Sequence, residues 1–221
     1  MNWLSPSSPM PGNKATRAIS KKTPEEVIGR IRRFLFARVW YSFAMHLRYV
    51  PIDEQGDDLA LTKHLFESAF PEGERPPFEY MLMWNHDTFY GVYDEDEFIG
   101  LADLIVHQDM VYLFFLAIEE SKRGHGYGSR ILHDLKQRYQ GRRLFLLADE
   151  AKPSYPDYDV RVKRMEFYAK NGFLPSNQFI CEFGVWYELL CHDCFVTKKE
   201  FVDTMASLIG TEWTKKFYSN V

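Results

Sequence analysis

Apolar and polar positions alternate along residues 45–221 in a way that predicts a domain rich in strands. Three apolar runs in the first half of this region are separated by gaps of two and three residues, which is the length of a hairpin turn. A buried strand and a further strand pair are predicted later in the chain. The predicted strands lie within 45–55, 87–94, 98–107, 110–118, 143–149 and 179–190.

Helical spacing of apolar residues predicts helices between and after these strands. One of them follows a glycine-rich turn and carries Tyr127, Ile131, Leu135 and Tyr139 on one face. Another ends at Asn171-Gly172, a pair typical of a helix C-terminus. The predicted helices cover 57–70, 76–84, the segment after residue 126, 160–173 and the chain after the capping box at 197–200.

Residues 1–44 have a different composition from the rest of the chain. Residues 1–22 are rich in Ser, Pro and basic side chains and contain no acidic residue, which predicts disorder. A capping box formed by Thr23 and Glu26 then begins a predicted amphipathic basic helix. We expect a basic extension at 1–44, a domain at 45–190 and a helical tail at 191–221, with Met45 as a candidate natural start.

Charge and composition narrow the classes of partner. The whole chain carries −4 and residues 1–44 carry +6, so residues 45–221 carry −10. We therefore expect no nucleic-acid partner, since that would need a basic face on the domain itself. No apolar run approaches the roughly 20 residues that span a bilayer, so we expect no membrane span and a cytoplasmic location.

The three cysteines fit neither a disulfide scaffold nor a zinc site. A disulfide scaffold would have an even and denser set of cysteines, and a zinc site would normally have four ligands. The segment "CHDC" at 191–194 has the spacing of a metal-binding pair, but no second cysteine pair accompanies it. We expect no metal.

The segment "IEESKRGHGYGSR" at 118–130 places alternating glycines between a predicted strand and a predicted helix, where backbone N–H groups can bind an anion. A P-loop is excluded because no Lys-Ser or Lys-Thr pair follows the glycines. A dinucleotide fingerprint would use Gly124 and Gly126, but Ser129 replaces its third glycine, and hairpins precede the loop where that motif expects a parallel crossover. The remaining pattern is R-x-x-G-x-G, formed by Arg123, Gly126 and Gly128.

That pattern, together with "KRMEFYAKNGF" at 163–173, resembles the GNAT family of N-acetyltransferases. The two motifs occur in the family's order, about 40 residues apart, and the resemblance spans residues 46–190. It implies an α/β (α+β) fold with a central, mixed but mostly antiparallel, twisted sheet flanked by helices. It also implies transfer of the acetyl group of acetyl-CoA to a primary amine of a small molecule or peptide, directly in a ternary complex.

The resemblance assigns roles to particular residues. Tyr168 would be the general acid that protonates the leaving thiolate, a role suited to a phenol with a pKa near 10. In the family an Asn commonly stands seven residues before this Tyr, and here the position is Arg161. The expected acetyl-CoA contacts are Leu116, Ala117 and Ile118 at the end of a strand, and Arg123, Gly124, His125, Gly126, Tyr127, Gly128 and Ser129 in the glycine turn.

The general base and the acceptor are left open by the sequence. Glu119 and Glu150, each following a predicted strand, are candidate bases, and Glu74, Arg75 and Phe78 are candidate substrate contacts. The acidic domain favours a cationic acceptor such as a polyamine, an aminoglycoside or a peptide amine. The alternative function is a catalytically weak acetyl-CoA sensor or interaction module. A homodimer is also left open.

Overall fold

The structure is a computed structural model that describes residues 47–52, 56, 58–85, 88–182 and 184–218. The predicted extension at 1–44, its amphipathic helix and the candidate start at Met45 lie outside the described residues. The described elements are β1 (Arg48–Pro51), α1 (Asp58–Ala69), a 3₁₀ turn (Glu72–Glu74), α2 (Phe78–Asn85), β2 (Phe89–Asp94), β3 (Glu97–His107), β4 (Met110–Ile118), a second 3₁₀ turn (Glu120–Lys122), α3 (Tyr127–Arg138), β5 (Arg143–Asp149), α4 (Tyr158–Lys170), β6 (Phe173–Glu182), β7 (Val185–His192), α5 (Lys198–Ile209) and α6 (Thr211–Phe217).

Within the described ranges, the strands form one seven-stranded sheet in the order β1-β2-β3-β4-β5-β7-β6. The pairings are antiparallel except for β4 with β5, which is parallel. Short gaps join β2, β3 and β4 as hairpins, whereas α3 provides the longer crossover that a parallel pair needs. The predicted mixed, mostly antiparallel sheet with flanking helices is confirmed.

Helices cover both faces of the sheet and bury three apolar clusters. On one face, Ile131, Leu132 and Leu135 of α3 pack on the sheet, with the partly buried aromatic residues of α4 beside them. On the other face, α5 packs against β4 and β5 through Phe201 and Met205, and α1 and α2 pack against β3 and β4 through Phe66, Phe78 and Met81. The sheet is therefore a middle layer, and most residues of β2, β3, β4 and β5 are buried.

The C-terminal segment is part of this layered structure. β7 continues to His192, so the predicted boundary at residue 190 falls inside a strand. α5 begins at a capping box in which Thr197 and Glu200 bond each other's backbone N–H groups, as the sequence predicts. Phe201 and Tyr218 are buried beside Tyr112 of β4, so α5 and α6 cover the sheet.

One irregularity interrupts β4. Its register with β3 pairs Leu104 with Leu113 and Asp103 with Phe115, so Phe114 is an extra residue without a partner on β3. A bulge of this kind bends a strand and increases its twist. It separates β4 into a first half that pairs with β5 and a second half that does not. No helix among the described residues is long and apolar enough to cross a membrane.

Candidate active site

A cleft opens where β4 and β5 separate. Their parallel pairing runs from Met110 and Arg143 to Leu113 and Leu146 and then stops. β4 continues alongside β3 to Ile118, while β5 continues alongside β7 to Asp149. The edge of β4 that faces β5 is therefore unpaired with β5 beyond Leu113.

The cleft has a volume of about 930 Å³ and gathers residues from distant parts of the chain. β4 contributes its second half, the glycine turn closes one end, and α4 provides a wall. The end of α1 and the first 3₁₀ turn approach from the other side, together with β6 and β7. The described lining residues used below are Phe70, Glu74, Tyr112, Phe114, Phe115, Leu116, Ala117, Ile118, Arg123, Gly124, Gly128, Asp149, Arg164, Phe167, Tyr168, Glu182 and Tyr187.

The glycine turn presents the N-terminus of α3 at one end of this cleft. Gly124 has φ 77° and Gly126 has φ 87°, a left-handed conformation that costs roughly 1–2 kcal/mol for other residues. Gly126 is the N-cap of α3, and as a glycine it provides no side chain that could accept a hydrogen bond from the first-turn N–H groups. These N–H groups have no intrahelical acceptor and carry the positive end of the helix dipole, which together favour an anion.

Gly128 is required by a close contact between α3 and α4. A Cβ atom at this position would lie 3.0 Å from Cζ of Phe167 and 4.0 Å from a side-chain carbon of Ile118. The glycine therefore lets the first turn of α3 approach both β4 and α4. Gly124 and Gly128 line the cleft directly.

The side chains around the glycines point in different directions. Arg123 lines the cleft, and its Nε donates a hydrogen bond to the carbonyl of Ile118 at 3.0 Å. Nδ1 of His125 bonds the carbonyl of Arg123 at 2.9 Å, and the hydroxyl of Tyr127 donates to Asp94 at 2.9 Å. Gly126 and the three residues His125, Tyr127 and Ser129 are not among the described lining residues.

Tyr168 lies on α4 and lines the cleft between the glycine turn and the end of β5. Its ring packs against Phe167 at 5.2 Å between centroids and against the core beneath α4. Burial raises the pKa of Tyr168 above its ordinary value, and the positive charge of Arg164 opposes this shift. Arg164 itself forms an ion pair with Asp149. Tyr168 is therefore a protonated phenol at neutral pH, able to donate a proton.

The two carboxylates expected as bases lie elsewhere. Glu119 precedes the second 3₁₀ turn, where its backbone N–H donates to Ile99 at 2.9 Å. Glu150 forms an ion pair with Lys152 at 2.8 Å. Neither is among the described residues that line the cleft.

The expected substrate residues are only partly brought to the cleft. Glu74 lines it, on the first 3₁₀ turn. Nε of Arg75 donates to the carbonyl of Phe70 at 3.0 Å, and the guanidinium lies over the ring of Phe66 at 5.5 Å. Phe78 is buried beneath α1 with an exposure of 2%. Arg75 and Phe78 therefore lie behind the described lining residues and not among them.

Arg161, at the position where the family commonly has Asn, is occupied by its own neighbours. Its Nε bonds Asp157 at 2.8 Å and its Nη1 donates to the carbonyl of Glu150 at 3.3 Å. Arg161 is not among the described lining residues. It ties the start of α4 to the end of β5.

A third carboxylate, which the sequence reasoning missed, does line the cleft. Glu182 is the last residue of β6, and its side chain accepts a hydrogen bond from the hydroxyl of Tyr218. Burial raises the pKa of Glu182 to about 7, and the bond from Tyr218 opposes this shift. The only signal in the sequence is that Glu182 is one of two acidic residues in the apolar run at 179–190, and this pattern does not reveal which face the residue occupies.

Comparison with known proteins identifies the family. The profile described as the acetyltransferase (GNAT) family matches residues 59–173, which is more than half of the chain. The chain belongs to this family. The match begins in α1 and ends at Phe173, so it contains the glycine turn and Tyr168. A search of curated proteins found no significant match.

Several solved structures are similar to this chain at low sequence identity, and the first of those below shares its fold. A protein from Bacteroides thetaiotaomicron assigned to the GNAT family is 19% identical with a TM-score of 0.60, covering 74% of this chain and 99% of its own. Naa50 of Arabidopsis thaliana, solved with a bisubstrate analogue, is 18% identical with a TM-score of 0.49, covering 67% and 99%. An aminoglycoside 6'-N-acetyltransferase from Enterococcus faecium is 16% identical with a TM-score of 0.48, covering 69% and 100%.

Proposed function

We propose that the protein is an acetyl-CoA-dependent N-acetyltransferase that transfers the acetyl group directly to a primary amine in a ternary complex. The observation that supports this most strongly is the cleft between β4 and β5. It combines a helix N-terminus without a side-chain cap, an unpaired strand edge and a partly buried tyrosine within one continuous surface. The match of residues 59–173 to the acetyltransferase (GNAT) family also supports the proposal.

The glycine turn fits the pyrophosphate of acetyl-CoA. Backbone N–H groups of residues 124–129 would bind its oxygens at the N-terminus of α3, and Arg123 at the same end of the cleft would add positive charge. The positive φ angles of Gly124 and Gly126 are compatible with such an anion-binding turn.

The second half of β4 fits the pantetheine arm. Leu116, Ala117 and Ile118 line the cleft on the edge that β5 leaves unpaired. An extended arm with amide groups would pair with this edge as an added strand does. An N–H group there would also stabilise the oxyanion that develops on the thioester carbonyl.

Tyr168 would donate the proton that the departing thiolate needs. A thiol has a pKa near 8.5 and a phenol near 10, so the two groups are close enough in acidity for a proton to pass at the moment the C–S bond breaks. Burial of Tyr168 keeps the phenol protonated until then. Glu119 and Glu150 lie outside the described cleft lining, so either of them could take the amine proton only through water.

The acceptor side of the cleft is aromatic and acidic. Phe70, Phe114 and Phe115 pack together there, with centroid distances of 4.7 Å and 4.3 Å. Glu74 and Glu182 add carboxylates. This combination suits a cationic primary amine attached to an apolar or aromatic group.

A thiol-release assay tests the proposal. The full chain is incubated with acetyl-CoA and 2-phenylethylamine, spermidine, kanamycin or a peptide with a free N-terminus, and mass spectrometry identifies the product. We expect thiol release that depends on the amine, with one acetyl group added to the acceptor. Binding of acetyl-CoA without release on any of the four amines would contradict the proposal and favour the sensor.

A further inference from the structure

Glu182 differs from Asp149 of the cleft lining because no described cation pairs with it. Among the described lining residues, Asp149 is paired with Arg164 and Glu74 lies on the surface turn after α1. Glu182 forms no ion pair with any described residue. Its one described hydrogen-bond donor is the hydroxyl of Tyr218.

The surroundings of Glu182 are apolar and aromatic. Tyr218 is 8% exposed and packs against Phe201 at 5.4 Å between centroids. Tyr112 is buried in the same cluster, and Tyr187 lines the cleft beside Glu182. A carboxylate in such a place is poorly solvated, and a cation that enters the cleft would relieve this cost.

Glu182 and Tyr168 approach the cleft from opposite faces of the sheet. Tyr168 packs on the face covered by α3 and α4, whereas Glu182 is held by Tyr218 on the face covered by α5 and α6. With the thioester bound between them, Tyr168 would face the departing sulfur and Glu182 would face the entering amine, which suits acid and base catalysis of acetyl transfer.

We propose that Glu182 binds the ammonium group of the acceptor and takes its proton, and that Tyr218 is the positioning residue that aims the Glu182 carboxylate into the cleft. This inference rests on the proposed function and deepens it. It also gives the C-terminal segment, which lies beyond the family match, a role in the active site.

The proton balance of the step is complete. Glu182 takes one proton from the ammonium, the freed lone pair attacks the thioester carbonyl, and a C–N bond forms as the C–S bond breaks. Tyr168 gives its proton to the sulfur and is reprotonated, through solvent, by the second proton that the nitrogen loses. The products are the acetamide, the CoA thiol and one proton, which leaves Glu182 for solvent.

The state of Glu182 depends on the groups packed around it. Tyr218 from the end of α6, Tyr112 from β4 and Tyr187 from β7 face it, and Glu74, Arg161 and Arg164 influence Tyr187 in turn. Since burial raises the pKa of Glu182 to about 7, the carboxylate is the main form at pH 8 and the acid is the main form at pH 6. Activity should therefore fall on the acidic side of neutrality.

The test is the pH dependence of kcat/KM for the best amine of the panel, measured between pH 5.5 and 9 on the full chain. We expect the wild type to lose activity below a midpoint near 7. Glu182→Gln should lower kcat/KM at pH 8 by about 10²- to 10⁴-fold and remove that limb. Glu182→Asp should retain the limb with reduced activity.

Two further variants separate catalysis from folding. Glu188→Gln removes a carboxylate on the neighbouring strand that accepts from the N–H of Asn177 and does not line the cleft, and it should leave the profile unchanged. Tyr218→Phe removes the bond that lowers the pKa of Glu182, so the acidic limb should move up by roughly 0.5 to 1 pH unit. A purely structural role for Tyr218 would lower activity without moving the limb.

Three results would overturn the inference while the proposed function stands. One is an active Glu182→Gln enzyme with the wild-type profile. The second is a wild-type kcat/KM that rises tenfold per pH unit up to pH 9 without a break. This rise would mean that only the neutral form of the free amine reacts and that Glu182 does not take a proton from a bound ammonium group. Loss of the acidic limb in Glu119→Gln or Glu150→Gln in place of Glu182→Gln would also contradict it. A wild type inactive on all four amines would contradict both the function and the inference.

Discussion

The raised pKa of Glu182 predicts a stability effect that can be measured without any substrate. Ionised Glu182 is less favourable in the folded protein than in the unfolded chain, because burial removes its solvation. Glu182→Gln removes this charge while keeping a similar shape and an oxygen that can accept from Tyr218. We expect the variant to be more stable than the wild type at pH 8.

The magnitude follows from the two pKa values. The ordinary pKa of 4.5 rises to about 7 in the folded protein, and each pH unit of difference corresponds to about 1.4 kcal/mol, so the full effect is about 3 kcal/mol. The folded state binds the proton more tightly than the unfolded state, and stability therefore falls as pH rises from 4.5 to 7. Below 4.5 both states are protonated and the penalty is absent, whereas above 7 it is fully present.

Urea denaturation at pH 4.5, 5.5, 6.5, 7.5 and 8 measures this effect. The quantity of interest is the free energy of unfolding of Glu182→Gln minus that of the wild type, since other titrating groups cancel in the difference. It should increase by about 3 kcal/mol between pH 4.5 and pH 7.5 and then remain constant. At pH 8 this corresponds to an increase in Tm of roughly 6 to 12 °C for a chain of this size.

A flat difference across this pH range would refute the reasoning, because it would mean that Glu182 titrates at the same pH in both states. A variant that is less stable than the wild type at pH 8 would also refute it. Glu188→Gln is the matched control: burial also raises the pKa of Glu188, but the N–H of Asn177 opposes the shift, so its difference should be smaller.

Three other predictions concern the cleft and its support. Tyr168→Phe should lower turnover by about 10²-fold in the thiol-release assay while calorimetry shows nearly unchanged acetyl-CoA affinity; unchanged turnover would mean that water protonates the thiolate. Gly128→Ala places a Cβ 3.0 Å from the ring of Phe167 and should weaken acetyl-CoA binding about tenfold or more by calorimetry; wild-type affinity would contradict the role of this turn. Gly100→Ala places a Cβ 2.2 Å from the carbonyl oxygen of Ala117. Urea denaturation should therefore show that the free energy of unfolding falls by at least about 1–3 kcal/mol. The control is Gly73→Ala, where the Cβ meets no heavy atom within 4 Å and the free energy of unfolding should hardly change.

Most of the fold could be predicted from local patterns in the sequence. The hairpins that join β2, β3 and β4 follow from short gaps between apolar runs, and β5 was predicted with the bounds that the structure has. The glycine turn could be predicted because its backbone demands a specific residue type at 124 and 126. Tyr168 was found through a motif whose spacing is local to one helix.

The cleft itself could not be predicted, because it depends on long-range pairing. Two features define it: the bulge at Phe114 and the separation of β4 from β5 beyond Leu113. Both depend on how three strands pair, and the sequence of any one strand does not indicate them. Glu182 was missed for the same reason. Its importance comes from Tyr218, 36 residues away, and from burial that only the packed C-terminal segment creates.

Titration calorimetry of the full chain with acetyl-CoA tests the central claim most directly. The account predicts one binding site per chain with a dissociation constant between about 1 µM and 1 mM, the usual range of KM values, and weaker binding to Gly128→Ala. Acetyl-pantetheine lacks the half of acetyl-CoA that contains the pyrophosphate. It should therefore bind far more weakly than acetyl-CoA. No heat of binding with the wild-type chain, or equal affinity for acetyl-pantetheine, would contradict the assignment of the cleft between β4 and β5 as the acetyl-CoA site.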